Sequence, residues 1–200
     1  MAPSPRRGRS TAATVLWAVA VIAIAITVRA YIAQPFFIPS GSMEPELVAG
    51  DRVLVNKLAY EVGDINRGDV VVFRHTSDGT LRQPWWSDLA EAVTGATAND
   101  TDDGYYIKRV LGLPGETVNV RSDGSVIVDG REVDEVNIPP AEHSPIYNGV
   151  VPDGEFFVLG DARANSLDSR SDLGFVPEHA VVGKASWRVW PMSRAGELQW

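Results

Sequence analysis

The hydrophobic pattern divides the chain into one long apolar run and a body of short apolar segments. Residues 12–28 carry no formal charge and are mostly Ala, Val and Ile. This length is just sufficient for a helix that crosses a bilayer, and Arg29 can snorkel so that the span extends to Ala33. We therefore predict a transmembrane anchor over residues 11–33, preceded by a basic tail over residues 1–10.

The charges before this run predict its orientation. Arg6, Arg7 and Arg9 precede the run, and basic residues favour the cytoplasmic side of a membrane. Residues 34–200 then form one extracytoplasmic domain on a single-pass protein of the plasma membrane. The alternative is a cleaved signal peptide, but the run is longer than the apolar region of most signal peptides, and Arg29 lies in the would-be cleavage region.

After the anchor, the apolar segments are short and β-branched, which is typical of strands. Residues 50–57 and 67–74 each combine a Gly-Asp turn with a strand, and we predict that the two are successive strands of a sheet. Turn residues within 117–155 predict a small hairpin that forms a lid or an edge. Further strands are predicted at residues 105–112, at 155–160 and, as the closing strand, at 181–190. The fold class is therefore mainly β: an antiparallel β-sheet domain with a small hairpin insertion, preceded by one transmembrane helix.

Two segments interrupt the strand pattern. Residues 75–104 are rich in Asp, Thr, Ser and Gly and contain Trp85 and Trp86, so we interpret them as a variable surface insertion. The tryptophans suit either the headgroup level of a membrane or packing on the sheet. Residues 134–154 are Pro-rich, and we predict that they are irregular.

Composition limits the chemistry of the domain. The chain contains no cysteine, so covalent catalysis falls to Ser, Thr or Lys. The net charge is -8, and the part after residue 43 has 14 basic against 26 acidic residues. This acidic body argues against a nucleic-acid groove.

A polar Pro-Ser-Gly-Ser sequence directly after the apolar run is the first candidate site. Pro39 and Pro45 restrict the backbone on both sides of Ser40 and Ser42, and Gly41 permits a close approach. We take a reactive serine just outside the bilayer as the hypothesis. A capped linker after the anchor is the alternative, since these are also ordinary turn residues.

Lys108 is the candidate base. Strand alternation places it on one face with Tyr106 and Val110, and burial there would lower the lysine pKa from its ordinary value of about 10.4. An edge lysine that snorkels to water is the alternative. The three histidines fit a solvated surface better than a catalytic base, and neither they nor the acids show metal-ligand spacing; they are His75, His143 and His179.

Five ordered blocks of this sequence resemble those of bacterial type I signal peptidases. The blocks are IPSGSMEPEL at residues 38–47, GDRVLVNK at 50–57, RGDVVVF at 67–73, YIKRVLGLPG at 106–115 and GDARANSLDSR at 160–170. The resemblance implies a membrane-anchored Ser/Lys endopeptidase that cuts signal peptides from exported preproteins. The implied partners are those signal peptides and the lipid bilayer; no cofactor, metal or nucleic acid is expected, and a monomer is favoured.

The resemblance also implies roles for individual residues. Ser42 corresponds to the nucleophile and Lys108 to the general base, while the Ser40 hydroxyl and the Ser42 backbone N–H correspond to the oxyanion hole. Ser166 is similar to the serine that hydrogen-bonds the lysine. Four charged residues match positions that support the site: Asp161, Arg163, Asp168 and Arg170. Eight residues are expected to line the substrate pockets: Phe36, Ile38, Met43, Leu47, Val53, Val72, Tyr106 and Ile107.

Three positions depart from the pattern of the family. Ala162 and Ala164 stand where Asn and Asp are often found, and Glu46 stands where Thr is common. The changes remove no proposed catalytic group, but they alter the hydrogen bonding of the loop and the local charge. Two rival functions remain at this point: a Ser/Lys self-cleaving regulator of the SOS-repressor type, and a non-enzymatic membrane-tethered binding protein.

Overall fold

The structure, a computed structural model, describes residues 11–75 and 104–198. Its first element is a helix, α1, at Thr11–Tyr31, so the apolar run is helical. Among the helices in the described residues, none is long and apolar enough to cross a membrane. The predicted span over residues 11–33 therefore stays a prediction.

The remainder of the described chain is built from short strands, as the β-branched segments predicted. The strands are β1 Ala33–Phe37, β2 Arg52–Asn56, β3 Val70–Arg74, β4 Tyr105–Gly112, β5 Thr117–Val120, β6 Val126–Val128, β7 Arg131–Glu132, β8 Tyr147–Val150, β9 Glu155–Leu159, β10 Val176–Pro177, β11 Val181–Trp190 and β12 Gly196–Glu197. Three 3₁₀ helices connect them, at Lys57–Tyr60, Glu178–Ala180 and Met192–Arg194.

The main sheet has the strand order β1-β2-β11-β3-β4-β9-β10, with β12 paired to β11. All its neighbours are antiparallel, which confirms the mainly β, antiparallel fold class. The strands β2 and β3, although successive in the chain, are not neighbours in the sheet. The longer β11 lies between them, because its ten residues pair with both.

The predicted hairpin is part of a second sheet of four strands, ordered β7-β6-β5-β8. The prediction that residues 134–154 are irregular was wrong at β8, which pairs with β5 from Tyr147 opposite Val120 to Val150 opposite Thr117. The ring of Tyr147 packs on Phe157, with 4.6 Å between the centroids. This tertiary contact anchors the start of β8 on the main sheet, which local sequence pattern does not reveal.

The chain does not end its regular structure at Trp190, as the predicted closing strand implied. After the 3₁₀ helix Met192–Arg194, β12 turns back and pairs with β11, with Gly196 opposite Arg188. Of the predicted surface insertion, only His75 and Gly104 belong to the described residues, and the His75 N–H donates to the Gly104 carbonyl at 2.8 Å. Trp85 and Trp86 lie outside the described residues.

Three apolar clusters cover β4 from both sides. Val70 and Val72 of β3 belong to the first cluster, together with Ile107, whereas Val71 and Phe73 belong to the second. The third cluster joins the end of β4 to the small sheet, through residues that include Leu111. Residues 107–112 of β4 are consequently buried, and the charged side chains of this strand must find partners inside the protein.

Candidate active site

Ser42 and Lys108, which are 66 residues apart in sequence, meet at the main sheet. The Lys108 ammonium donates to Ser42 Oγ at 2.8 Å and to the Ile107 carbonyl at 2.8 Å. Lys108 lies in the middle of β4, and Ser42 lies in the turn that follows β1. A neutral amine would accept the serine proton along the same contact, so the distance suits base catalysis.

Burial gives Lys108 the electrostatics of a base. Its side chain is only 3% exposed, and burial lowers its pKa from 10.5 to about 8. The carboxylates of Asp168 and Asp161 oppose this effect and raise the lysine pKa. The structure therefore does not support the alternative of an edge lysine that snorkels to water.

The turn that carries Ser42 is fixed by its own backbone and by its neighbours. Glu44 N–H donates to the Gly41 carbonyl at 3.0 Å, and Leu47 N–H donates to the Met43 carbonyl at 2.9 Å. The side chains of Met43 and Leu47 are fully buried. Since the residue after the serine is locked in the core, the serine itself has little freedom to move.

Gly160, at the end of β9, lies directly against this turn. A side chain at Gly160 would collide with the Ser42 carbonyl oxygen and with Ser166 Oγ, so the close approach requires glycine. The next segment of chain closes the contact, because Ala162 N–H donates to the Ser42 carbonyl at 3.1 Å. This bond uses the backbone of Ala162, so the family's polar side chain at this position is not needed for it.

Two donors beside Ser42 remain uncommitted. The side chain of Ser40 is exposed, and within the described residues neither its hydroxyl nor the Ser42 backbone N–H has a hydrogen-bond partner. Unpaired donors next to a nucleophile are what an oxyanion hole requires before substrate arrives.

The hydrogen bond between Ser166 and Lys108 that the resemblance implies is absent from this structure. Ser166 Oγ is buried beside Gly160 and has no hydrogen-bond partner among the described residues. Lys108 directs its amine to Ser42 and to Ile107 instead. A buried hydroxyl without a partner thus lies beside the nucleophile loop.

Buried ion pairs hold the loop that follows β9 in place beside the site. Arg109 binds Asp161 through two hydrogen bonds, Nε to Oδ1 at 2.8 Å and Nη2 to Oδ2 at 2.7 Å, and both side chains are buried. Arg163 donates to the Gly160 carbonyl at 3.2 Å and pairs with Glu135 of the segment after β7. These bonds connect the loop after β9 with β4 and with the small sheet.

A second pair orders the same loop. Arg170 binds both carboxylate oxygens of Asp168, at 2.8 Å and 2.7 Å, and donates to Ser144 Oγ at 2.6 Å. Asp168 Oδ2 also accepts the Gly160 N–H at 3.1 Å. The four supporting residues that the sequence indicated are therefore all in ion pairs, but their partners Arg109 and Glu135 were missed. The sequence carried a signal for Arg109, because a charged residue within an apolar strand requires a partner once that strand is buried.

The predicted pocket residues form one cluster, with one exception. Seven of them belong to the first apolar cluster: Phe36, Ile38, Met43, Leu47, Val53, Val72 and Ile107. Tyr106 is the exception, since it packs against the second cluster and stacks on Phe73; its place in a substrate pocket stays a prediction. Its neighbour Tyr105 packs against the first cluster instead, and the Tyr105 ring contacts Phe36 edge to face, with 5.6 Å between the centroids, because neighbouring residues of a strand point to opposite faces.

None of the three histidines shares a hydrogen bond with Ser42 or Lys108 in the part of the chain that the structure describes. His143 and His179 are exposed, and His75 contacts the ring of Tyr106. Ala164 is also exposed. Among the residues that the structure describes, no group of three or more His, Asp or Glu side chains is arranged to hold a metal ion.

Sequence comparisons place these residues among known proteins. Residues 11–190 match the family model described as signal peptidase, peptidase S26. The chain is 39% identical over 183 residues to a Synechocystis protein named "Probable signal peptidase I-2". This match covers 90% of this chain and 73% of that protein. It is 37% identical over 177 residues to a signal peptidase I of Leptolyngbya laminosa, over 88% of this chain and 78% of the relative.

A solved signal peptidase I from Enterococcus faecalis V583 is also similar. Its identity is 27% and its TM-score 0.43, and the match covers 62% of this chain and 99% of that one.

Proposed function

The chain belongs to the signal peptidase, peptidase S26, family, and from this premise we propose that it removes N-terminal signal peptides from exported preproteins with Ser42 as nucleophile and Lys108 as base. The observation that carries the choice of residues is the 2.8 Å contact between Lys108 Nζ and Ser42 Oγ in a buried site. A serine hydroxyl is a weak nucleophile at its own pKa and needs an adjacent base of this kind.

Acyl transfer begins when neutral Lys108 accepts the Ser42 hydroxyl proton as Oγ attacks the scissile carbonyl carbon. The carbonyl oxygen becomes an oxyanion, which the Ser40 hydroxyl and the Ser42 backbone N–H bind. Protonated Lys108 then gives its proton to the leaving amine, the peptide C–N bond breaks, and the signal peptide remains as an ester on Ser42. Lys108 next deprotonates a water molecule that hydrolyses this ester, which frees the signal peptide and restores the serine.

The lowered lysine pKa sets how much base is available. With a pKa of about 8, about a tenth of Lys108 is neutral at pH 7. A lysine at its ordinary pKa would be neutral several hundred times less often. The shift from 10.5 to about 8 costs about 3 kcal/mol, which the packing around β4 must offset.

The first apolar cluster is the proposed substrate-facing wall. Met43 adjoins the nucleophile and Ile107 adjoins the base in sequence, and both belong to this cluster. An apolar wall with few gaps admits small side chains before the cut and excludes large ones. We assign this role to the seven clustered residues together with Tyr106, which strand alternation places on the same face of β4 as Lys108.

The anchor predicted over residues 11–33 is proposed to cross the plasma membrane once through α1, Thr11–Tyr31, with the N-terminus in the cytoplasm. The support is the uncharged run of residues 12–28, the three arginines before it and the helical α1. Because β1 begins at Ala33, directly after α1, the Ser42 turn would lie close to the outer membrane surface, where exported preproteins emerge.

The test is cleavage of a model preprotein by the full chain purified in detergent, with the cut site mapped. We expect one cut after a small residue at the end of the signal peptide and loss of cleavage in Ser42→Ala. Wild-type cleavage by Ser42→Ala would refute the assignment of the nucleophile. Cleavage of the enzyme's own chain alone would favour the self-cleaving regulator, and no cleavage with no labelling of Ser42 by an acylating inhibitor would favour the binding protein.

A further inference from the structure

Two arginines from the C-terminal part of the main sheet reach the loop that carries Ser42. Arg188 lies near the end of β11, and its Nη1 donates to the Glu46 carbonyl at 2.5 Å. Arg194 lies in the 3₁₀ helix that follows, and its Nη2 donates to the same carbonyl at 3.3 Å. Two guanidinium groups therefore converge on one backbone oxygen, four residues after the nucleophile.

Arg194 also fixes the far end of this loop. Its Nη1 pairs with both carboxylate oxygens of Asp51, at 3.3 Å and 3.2 Å, and Asp51 is 1% exposed. Asp51 Oδ2 in turn accepts the Val48 N–H at 3.0 Å. Without the arginine, this buried carboxylate would lose its ion-pair partner.

The arginines themselves are held by the end of the chain. Arg188 Nε donates to the Arg194 carbonyl, and Gly196 of β12 pairs opposite Arg188. Leu198 packs on the first apolar cluster, and its N–H donates to the Ser186 carbonyl at 3.0 Å. Residues 194–198 are thus held on the main sheet and keep Arg188 and Arg194 in place.

The loop needs support at its centre. Its near end is held by the bond from Ala162 N–H to the Ser42 carbonyl, and its far end by bonds between Ile38 and residues 50 and 51. Glu44 and Pro45, between these ends, are exposed. The arginines contact the chain directly after this exposed part, and the bond from Leu47 N–H to the Met43 carbonyl carries their constraint back to the residue beside Ser42.

We propose that Arg188 and Arg194 are positioning residues, which hold residues 43–51 so that Ser42 Oγ stays within reach of Lys108 Nζ. The catalytic consequence rests on the proposed function. The structural consequence, an ordered nucleophile loop, does not.

The test compares Arg188→Gln, Arg194→Gln and the double variant with the wild-type full chain in detergent. Hydrogen exchange of the Glu44 and Leu47 amides is expected to accelerate about tenfold or more, the factor typical of losing a charge-assisted hydrogen bond. In preprotein cleavage, kcat is expected to fall about tenfold or more, and KM is expected to rise by a smaller factor, since only Met43 and Leu47 of the substrate wall belong to the loosened loop. Arg121→Gln, which removes an exposed ion pair of the small sheet, is the matched control and should alter neither measurement.

Conservative replacement separates positioning from general stability. Arg188→Lys keeps the charge, but one ammonium cannot bind the Glu46 and Arg194 carbonyls in the same fork geometry, so we expect only partial recovery of kcat relative to Arg188→Gln. Arg194 is a third exposed, and its replacement should leave a folded protein even if Arg188→Gln does not fold.

Unchanged exchange at Glu44 and Leu47 in the folded variants would overturn the proposal, and so would wild-type kcat in the double variant. If Ser42→Ala retains wild-type cleavage, the proposed function fails instead. In that case the exchange measurement still decides whether the two arginines order the loop.

Discussion

Arg109 binds Asp161 through two parallel hydrogen bonds, whereas the amine of Lys108, one residue earlier in β4, has no carboxylate partner in residues 11–75 and 104–198. Arg109 and Lys108 are both 3% exposed, yet among the described residues only the arginine of the two has an acid within ion-pair distance. The difference separates two uses of a buried cation. A paired arginine stays charged and supports structure, whereas an unpaired lysine loses affinity for its proton and becomes available as a base.

The first prediction is that activity rises with pH up to about 8. Lys108 is active when neutral, and its pKa is lowered to about 8, so kcat/KM should increase about tenfold per pH unit below that value and level off above it. Initial rates of preprotein cleavage between pH 5 and 10 measure this. A rate that is flat across pH 6 to 9 would contradict lysine as the base.

The lowered pKa of Lys108 also predicts how the stability of the protein changes with pH. Because the pKa is lowered on folding, the unfolded chain binds more protons between about pH 8 and 10.5, and the free energy of unfolding should rise across that window. Below about pH 8, Lys108→Met should therefore be more stable than wild type while being inactive. Urea unfolding at pH 7 and pH 10 tests both statements, since the gain from the substitution should shrink at the higher pH.

The second prediction concerns the Arg109–Asp161 pair. Arg109→Met leaves a buried carboxylate without its partner, which should cost about 3–5 kcal/mol of unfolding free energy. Asp161 already raises the Lys108 pKa, and without its arginine it should raise it further, so the pH profile of the remaining activity should move to higher pH. Arg121→Gln, in an exposed pair, is the control and should cost less than about 1 kcal/mol. A destabilised variant with an unmoved profile would show that the pair supports the fold without tuning the base.

Local pattern in the sequence was enough for the strand that carries Lys108 and for most of the main sheet, but not for β1, which precedes the Ser42 turn. The segments at β2, β3, β4, β9 and β11 were predicted because β-branched residues between Gly, Asp and Pro turns form strands wherever they are later placed. Strand order was not predictable in this way. That β11 lies between β2 and β3 depends on pairings between residues more than a hundred positions apart, such as Lys184 with Asn56.

The site shows the same division. Ser42 and Lys108 could be singled out from residue chemistry and from the resemblance, because each lies in a distinctive block. That Tyr105 packs on the first cluster and Tyr106 on the second depends on which face of β4 meets each cluster. The contacts of Arg188 and Arg194 depend on a C-terminal turn that has no strand signal of its own. The resemblance implied a hydrogen bond between Ser166 and Lys108, but in the structure the Ser166 hydroxyl lies beside Gly160. This contact depends on tertiary packing, which local sequence pattern does not reveal.

The third prediction is that Gly160→Ala, which adds a single methyl group, lowers both the stability of the protein and kcat. The added methyl group would collide with the Ser42 carbonyl and with Ser166 Oγ, so the nucleophile turn must shift. We expect a loss of about 1–3 kcal/mol in stability and a fall in kcat of about tenfold or more, since small misplacements of a nucleophile are costly. Gly154→Ala, where an added Cβ meets no atom within 4 Å although φ is 72°, is a control for backbone effects alone. It should cost stability and leave kcat unchanged.

The fourth prediction concerns the contribution of the Ser166 hydroxyl to stability. Its buried Oγ has no hydrogen-bond partner among the described residues, so Ser166→Ala removes an unsatisfied polar group and should not lower the free energy of unfolding. Chemical denaturation measures this directly. A loss of more than about 1 kcal/mol would mean that the hydroxyl is bonded in the folded protein in solution.

The fifth prediction assigns the Ser40 hydroxyl to the transition state. Ser40 is exposed and its hydroxyl binds no described residue, so Ser40→Ala should leave folding and KM nearly unchanged. Removal of one oxyanion donor typically lowers kcat by about 10² to 10³, and this is the expected loss in preprotein cleavage. Ser40→Thr keeps a hydroxyl at the same position and should recover part of that loss. A kcat of Ser40→Ala within about threefold of wild type would leave the Ser42 backbone N–H as the donor to the oxyanion and remove Ser40 from that role.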